Sequence, residues 1–322
     1  MHPSDYFAHG NNDLEDTRPR QVVVQPEEVQ PVKIEKPVPL GPRRKQSPQS
    51  GCGCWFWSLV LGILLGMFLY AALIVQPRTN ILVLGLDSRE PGSNLGRSDT
   101  MILVTVVPMP PYVGMLSIPR DLWVTIPGYE DNRINAAHFL AEGYSPGSGP
   151  ETAMRTVQQN LGVDVHYFVR IRFDGFKEVI NALGGIEINL PSPMSGYSAG
   201  NHHLNADQAL AFVRDRQGSD DFFRMERGQL VFRAIFRQVL KPANWPRLPE
   251  AIFALLSTLD TDLPAWQWLR LGVITLLVGP EGIDTRIITR EMVSPFTTSV
   301  GANVLYPRWE LINPVLLEMF NQ

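Results

Sequence analysis

Arginine and aspartate recur together along this chain. Asp87 and Arg89 stand in GLDSRE, Arg97 and Asp99 in GRSDT, and Arg120 and Asp121 in SIPRDLW. Arg133 and Asn135 follow in NRINAAH, Arg214 and Arg216 in FVRDRQG, and Arg224 and Arg227 in FRMERGQ. These are eight arginines and no lysine. Guanidinium stays charged and grips phosphate oxygens with a planar fork, so the bias points to an anion. Arg214 and Arg216, two apart, share a face on an extended backbone. Arg224 and Arg227, three apart, share one on a helix. Asp87 and Asp99 are hard oxygen donors of the kind Mg²⁺ takes together with substrate phosphates. Taken singly, each Arg–Asp pair reads as a surface ion pair worth under ~1 kcal/mol. Taken together, all abutting element ends, they read as an extracellular anion or phosphate site, with Mg²⁺ as its metal.

Other chemistries lack their residues. No His/Cys cluster has zinc spacing, and no GxxxxGK[ST] loop is present. Ser98 and Ser117 have no local sign of a histidine-based triad. His202 and His203, being adjacent, read as exposed loop residues. The SPGSGP run at 145–150 reads as a turn.

Positioning these groups falls to short apolar runs. Asn80–Leu86 and Met101–Val107 are rich in Val, Ile and Leu and read as strands buried on both faces. Tyr112–Ile118, Trp123–Ile126, Tyr167–Phe173 and Ile186–Leu190 are further strands. Between the last two, Phe176, Val179, Ile180 and Leu183 fall at helical spacing, and Gly184-Gly185 stops the helix. That strand–helix–strand pattern predicts a layered α/β domain. Asn205–Val213, Phe222–Leu240, parts of 247–278 and Pro307–Phe320 read as helices, and Thr285–Thr289 as a late strand. Phe222–Leu240 has a wide apolar surface. Core packing is the first reading of it, and a lipid-lining wall the second.

The context of the domain is set upstream. The chain has 322 residues, of which 44% are apolar and 19% charged, enough for a sizeable core. Trp55–Val75 holds 21 residues without a charge. At ~1.5 Å rise per residue it crosses one hydrocarbon core. Arg43, Arg44 and Lys45 precede it and only Arg78 closely follows, which puts the N-terminus in the cytoplasm and the domain outside. A cleaved signal peptide is disfavoured by the length of the run and the absence of a small-x-small site. Residues 1–54 carry the composition of a disordered, Pro-rich cytoplasmic tail. Its Cys52 and Cys54 are too close for a structural disulfide and read as inert thiols rather than lipidation sites. The formal charge of −4 argues against nucleic acid as a partner.

These motifs, in this order and after one transmembrane run, resemble the LytR-CpsA-Psr family of bacterial cell-envelope proteins. The resemblance is carried by NILVLGLDSR (80–89), RSDTMILV (97–104), MLSIPRDLWVTIPG (115–128), RINAAH (133–138), FDGFKEVINALGGIEINLP (173–191), HLNADQALAFVRDR (203–216) and DFFRMERGQ (221–229). It implies a three-layer α/β/α sandwich over 78–322, outside the membrane, with a hydrophobic pocket between sheet and helices for a lipid chain. It also implies an activity: moving a glycopolymer from a polyprenyl-diphosphate carrier onto peptidoglycan, usually at the 6-hydroxyl of N-acetylmuramic acid, to give a phosphodiester. Wall teichoic acid, capsule and arabinogalactan are the cargo types. By resemblance, Asp87 and Asp99 hold Mg²⁺. Arg89, Arg97, Arg120, Arg133, Arg214, Arg216, Arg224, Arg227 and Gln229 surround the diphosphate. Arg120, Asp121, Arg214 and Arg216 form the catalytic set, with Asp121 orienting Arg120. One departure is Gly228, where the family often has glutamine.

The chemistry is coherent. Breaking a diphosphate spreads negative charge, which fixed arginines and Mg²⁺ stabilise. Two other readings use the same residues. One is a polyprenyl-diphosphate hydrolase with water as nucleophile. The other is a non-catalytic envelope regulator that binds lipid-linked intermediates.

Overall fold

The computed structural model describes residues 52–74, 78–87, 93–215 and 221–321. Helix α1 spans Cys52–Ile74. Its side chains are described only at 55–67, and among the described residues no helix is long and apolar enough to cross a membrane. Apart from Cys52–Cys54, the Pro-rich tail lies outside the described residues.

Strands β1 (Thr79–Asp87), β2 (Arg97–Val107) and β3 (Tyr112–Ser117) form an antiparallel meander. A short hairpin of β4 (Trp123–Val124) and β5 (Asn132–Arg133) leads into α2 (Ala136–Tyr144) and α3 (Gly149–Leu161). Then come β6 (Tyr167–Arg172), α4 (Phe173–Ala182), β7 (Ile186–Leu190), β8 (Gly200–Leu204) and α5 (Ala206–Arg214). Beyond them lie α6 (Asp221–Leu240), a 3-10 turn at Pro242–Arg247, α7 (Leu248–Thr258), β9 (Leu259–Thr261) and α8 (Ala265–Gly282). The chain continues through β10 (Asp284–Ile287), a 3-10 turn at Arg290–Met292, β11 (Val293–Thr297), β12 (Asn303–Pro307) and α9 (Trp309–Phe320).

The main sheet has six strands in the order β10-β3-β2-β1-β6-β9. Side chains alternate across it with period two. Leu82, Leu84, Met101, Leu103, Leu116 and Ile118 face a core completed by Val157 and Leu161 of α3 and Ile312 and Leu316 of α9. Ile81, Ile102, Val106, Val113 and Met115 face the other way, onto Leu271 and Ile274 of α8. Helices thus cover both faces, which is why β1 and β2 read as continuous apolar runs.

The expected strand–helix–strand is present as β6–α4–β7, with β7 paired to β8 in a separate hairpin packed on α4, α5 and α6. Two expectations need correction. Trp123–Ile126 yields only the two residues of β4. His202 and His203 lie in β8, not in a loop, and a ring nitrogen of His202 is 2.8 Å from the Ser198 carbonyl. Helices α2 and α3 come from a stretch with no assigned element.

Candidate functional site

The site begins with an irregularity in the sheet. Gly85 pairs with Thr100 and Leu86 with Ser98, so Asp99 is an extra residue with no partner on β1. Such a bulge re-aims a side chain at the end of a ladder. Gly85 permits it: a Cβ there would lie 2.9 Å from the Cβ of Thr100. Below the bulge, Ser98 is fully buried in the sheet. Asp99 is thereby turned toward the loop that follows β3.

That loop delivers Arg120. Its Nη1 donates to Asp99 Oδ1 at 2.8 Å. Its Nε lies 3.0 Å from Asp221 Oδ1, at the first residue of α6, and 3.6 Å from Asp121 Oδ2. Arg224, one helical turn further along α6, reaches Asp221 at 3.4 Å and donates to the Asp99 carbonyl at 2.8 Å. Arg133 Nε lies 3.2 Å from Asp121 Oδ1, and its Nη2 donates to the Asn303 carbonyl at 2.9 Å. Three arginines and three aspartates therefore interlock where the bulge, the β3–β4 loop, β5 and the start of α6 meet.

The charges tune one another. Burial works to lower the Arg120 pKa. The hydrogen bond that Arg120 donates to Asp99 and the fields of Asp221, Asp99 and Asp121 outweigh it, and the guanidinium ends above its ordinary value. Burial pushes the Asp221 carboxyl above the usual range, against the pull of Arg224 and Arg120. Asp99, Asp221 and Arg224 also line a small cleft, together with Thr100, Ser117 and the apolar Met101, Ile102, Ile118, Val213 and Met225. Gly228 also lines it, and a Cβ there would meet nothing within 4 Å.

The other expected residues fall in three groups. Arg97 and Arg214 are exposed, over the rings of Phe139 and Phe173 at 5.8 and 4.9 Å. Arg214 closes α5 next to Val213 of the cleft wall. Arg227 and Gln229 are buried and do not line the cleft. Arg227 donates to the Asp215 carbonyl. Gln229 donates to Ser117 Oγ at 3.0 Å and to the Arg286 carbonyl at 2.7 Å, which pins α6 to β3 and β10. The backbone of Asp87 is in register with Arg97, across the ladder from the bulge. The side chain of Asp87, and all of Arg89 and Arg216, lie outside the described residues.

Mg²⁺ prefers one or two carboxylates plus substrate oxygens over a full protein cage. Asp99 fits that role. Its Oδ1 takes the bond from Arg120, and its Oδ2 accepts no hydrogen bond among the described residues. No group of three or more metal-ligating side chains occurs among the described residues.

Two residues escaped the reading of the sequence. Asp221 was passed over for the arginines beside it, although it opens the DFFRMERGQ motif and precedes an apolar helix. Arg290 sits over the rings of Phe222 and Phe223 at 5.6 and 5.9 Å, bringing another cation to the first turn of α6. No spacing in the sequence links it to that helix.

A family model, the LytR_cpsA_psr family, matches residues 74–307. A polyisoprenyl-teichoic acid–peptidoglycan teichoic acid transferase, TagU of Oceanobacillus iheyensis, is 34% identical over 220 residues, covering 66% of each chain. TagV of Bacillus subtilis, with the same activity in its name, is 31% identical over 228 residues, covering 65% of this chain and 56% of its own. The chain thus spans less than two thirds of the length of these relatives. The crystal structure of B. subtilis TagV superposes with a TM-score of 0.62 at 28% identity, over 76% of this chain and 98% of that one. With a model matching most of its length, this chain belongs to the LytR_cpsA_psr family.

Proposed function

We propose that this protein transfers a glycan-bearing phosphoryl group from a polyprenyl diphosphate to a peptidoglycan hydroxyl, as a Mg²⁺-dependent enzyme. The observation that carries this reading is the Arg120 cluster, whose Asp99, Asp221 and Arg224 also line a small cleft of mixed polar and apolar character. Fixed guanidinium groups of this kind suit the anionic head of a lipid-linked donor. The names of the relatives support the same reaction class.

Arg120 is locked on two sides, through Nη1 to Asp99 and through Nε toward Asp221. A guanidinium fixed in this way stabilises charge developing on the transferred phosphoryl without reorganising at the moment of reaction. Arg224 shares both partners and holds the start of α6 against the bulge. Arg214 and Arg290 add positive charge beside the cleft. Asp99, with Asp87, would hold Mg²⁺, which when bound supplies further neutralisation of diphosphate charge.

The acceptor hydroxyl attacks the phosphorus that bears the glycan. The bond to the polyprenyl phosphate breaks, and the hydroxyl proton departs. Asp121 and Asp221 are the carboxylates beside Arg120 that could take that proton; burial raises the affinity of Asp221 for it, against the pull of Arg224 and Arg120. We further propose that residues 55–75 anchor the chain in the cell membrane, with residues 1–54 cytoplasmic and 78–322 outside. Such an anchor keeps the site beside a donor whose lipid stays in the bilayer.

Acceptor dependence tests the reading. Polyprenyl phosphate release from a short-chain donor is expected to rise when peptidoglycan fragments are added. Equal release without them would make the protein a hydrolase, and no release with intact donor binding would make it a binding protein.

A further inference from the structure

Helices α7 and α8 leave an apolar surface uncovered. On α7, Ile252, Phe253 and Leu256 are exposed; on α8, Trp266, Leu269, Leu276 and Leu277 are exposed. At 100° per residue each set falls within a stripe about 100° wide, opposite the residues that enter the core. Phe253 and Leu277 are 75% and 71% exposed. Neither stripe carries a charge, since Glu250, Arg270 and Glu281 lie elsewhere on these helices. Arg270 is turned inward and buried, and Glu281 is engaged by Arg237. Trp245 stands exposed just before α7, and Trp266 opens α8. Contiguous apolar side chains of this size mark an interaction surface, and tryptophan favours a membrane–water interface.

The course of the chain says what covers it. Arg270 donates to Thr79 Oγ1 at 3.0 Å, so the middle of α8 is fastened to the first residue of β1. Thr79 follows Val75, the end of the uncharged run, by four residues. At ~3.3–3.6 Å per residue, Thr79 can be no more than about 14 Å from that end. A helix with its side chains is about 10–12 Å across, and the interfacial layer on each side of a bilayer is about 5–7 Å thick. The tether therefore holds α8 against the layer in which an uncharged, Trp-bearing helix face is stable.

We infer that the outer faces of α7 and α8 dock the folded domain onto the outer surface of the bilayer that holds residues 55–75. The inference rests on the reading of that run as a membrane anchor. Docking fixes the domain's orientation, so the cleft meets its lipid-borne donor at a set height rather than by swinging on the tether.

The test uses the full chain in phospholipid vesicles, with Cys52→Ser and Cys54→Ser removing the native thiols. Nitroxides are attached at Phe253→Cys, Leu277→Cys, Leu64→Cys in α1 and Val300→Cys at the tip of the β11–β12 hairpin. Collisions with oxygen, which partitions into lipid, are compared with collisions with a water-soluble nickel chelate. Positions 253 and 277 are expected to meet the chelate several-fold less often than 300, and oxygen more often. If they meet it as freely as 300 while 64 is protected, the docking inference falls and the anchor stands. If 64 is also open to the chelate, the anchor reading fails and takes the inference with it. Shielding of 253 and 277 from both reagents, with spin–spin broadening, would show a second copy on this face and overturn bilayer docking.

Discussion

Replacing Arg120 by lysine keeps the positive charge and removes the fork. The guanidinium addresses its partners through two separate nitrogens: Nη1 at 2.8 Å from Asp99, and Nε at 3.0 Å from Asp221 and 3.6 Å from Asp121. An ammonium has three donors on one nitrogen and cannot stand at the separate positions of Nη1 and Nε. The side chains of Arg120, Asp99 and Asp221 are 23%, 14% and 13% exposed, so solvent screens the lost contacts in part. Breaking a fully buried pair costs about 3–5 kcal/mol and an exposed pair under about 1. On that scale Arg120→Lys is expected to lose roughly 1 kcal/mol of stability, and Arg120→Ala about 1–2. Catalysis should suffer more. A preorganised donor aimed at developing charge is worth about 2.7–4 kcal/mol, or ~10²–10³ in rate. Arg120→Lys should therefore fall by about two orders of magnitude in glycan transfer while its urea midpoint moves little. A lysine variant with near wild-type turnover would refute the argument that the fork, rather than the charge, does the work.

Further outcomes follow from other parts of the structure. Gly228→Ala is expected to raise stability by ~0.5–1 kcal/mol, read from urea denaturation, because a helix-interior glycine gains a methyl in open space. Gly228→Gln restores the side chain the family often has there and should lower KM for the lipid donor with little change in kcat. His138 is buried, with one ring nitrogen on the Gly96 carbonyl at 3.0 Å and the other facing an Arg170 N–H at 3.1 Å. Burial first, and the Arg170 charge after it, hold its pKa below 6.5. The unfolded chain then binds the proton sooner. Stability should fall as pH drops below ~6.5, with a slope approaching 1.4 kcal/mol per unit, and His138→Gln should flatten that slope. Withdrawing Mg²⁺ with a chelator should abolish transfer, and Asp99→Asn should raise the Mg²⁺ concentration needed to restore it.

Much of this architecture is legible in the residues. The strands β1 and β2 are runs rich in Val, Ile and Leu because helices cover both faces of the sheet. The α4 helix ends where Gly184 and Gly185 take positive φ. Helix α3 is less visible: Ala153, Val157 and Leu161 do recur every four residues, but polar side chains separate them and a Gly/Pro-rich turn precedes them. The bulge at Asp99 depends on pairing register with β1, which no local pattern records. Arg227 and Gln229 entered the expected diphosphate set through the family resemblance; in the structure both are buried, while Arg224 and Gly228 line the cleft. Asp221 went unnoticed for a related reason. Its significance comes from Arg120, a neighbour that only the packing of α6 against the β3–β4 loop supplies.

In the proposed reaction the glycan-side phosphate changes partner. A donor labelled with ³²P in that phosphate, given to the protein with Mg²⁺ and peptidoglycan fragments, tests it directly. The label is expected to move into the peptidoglycan as a phosphodiester, and Arg120→Ala and Asp99→Ala to lose this transfer. Label released as free glycan phosphate, with none in the peptidoglycan, would contradict it.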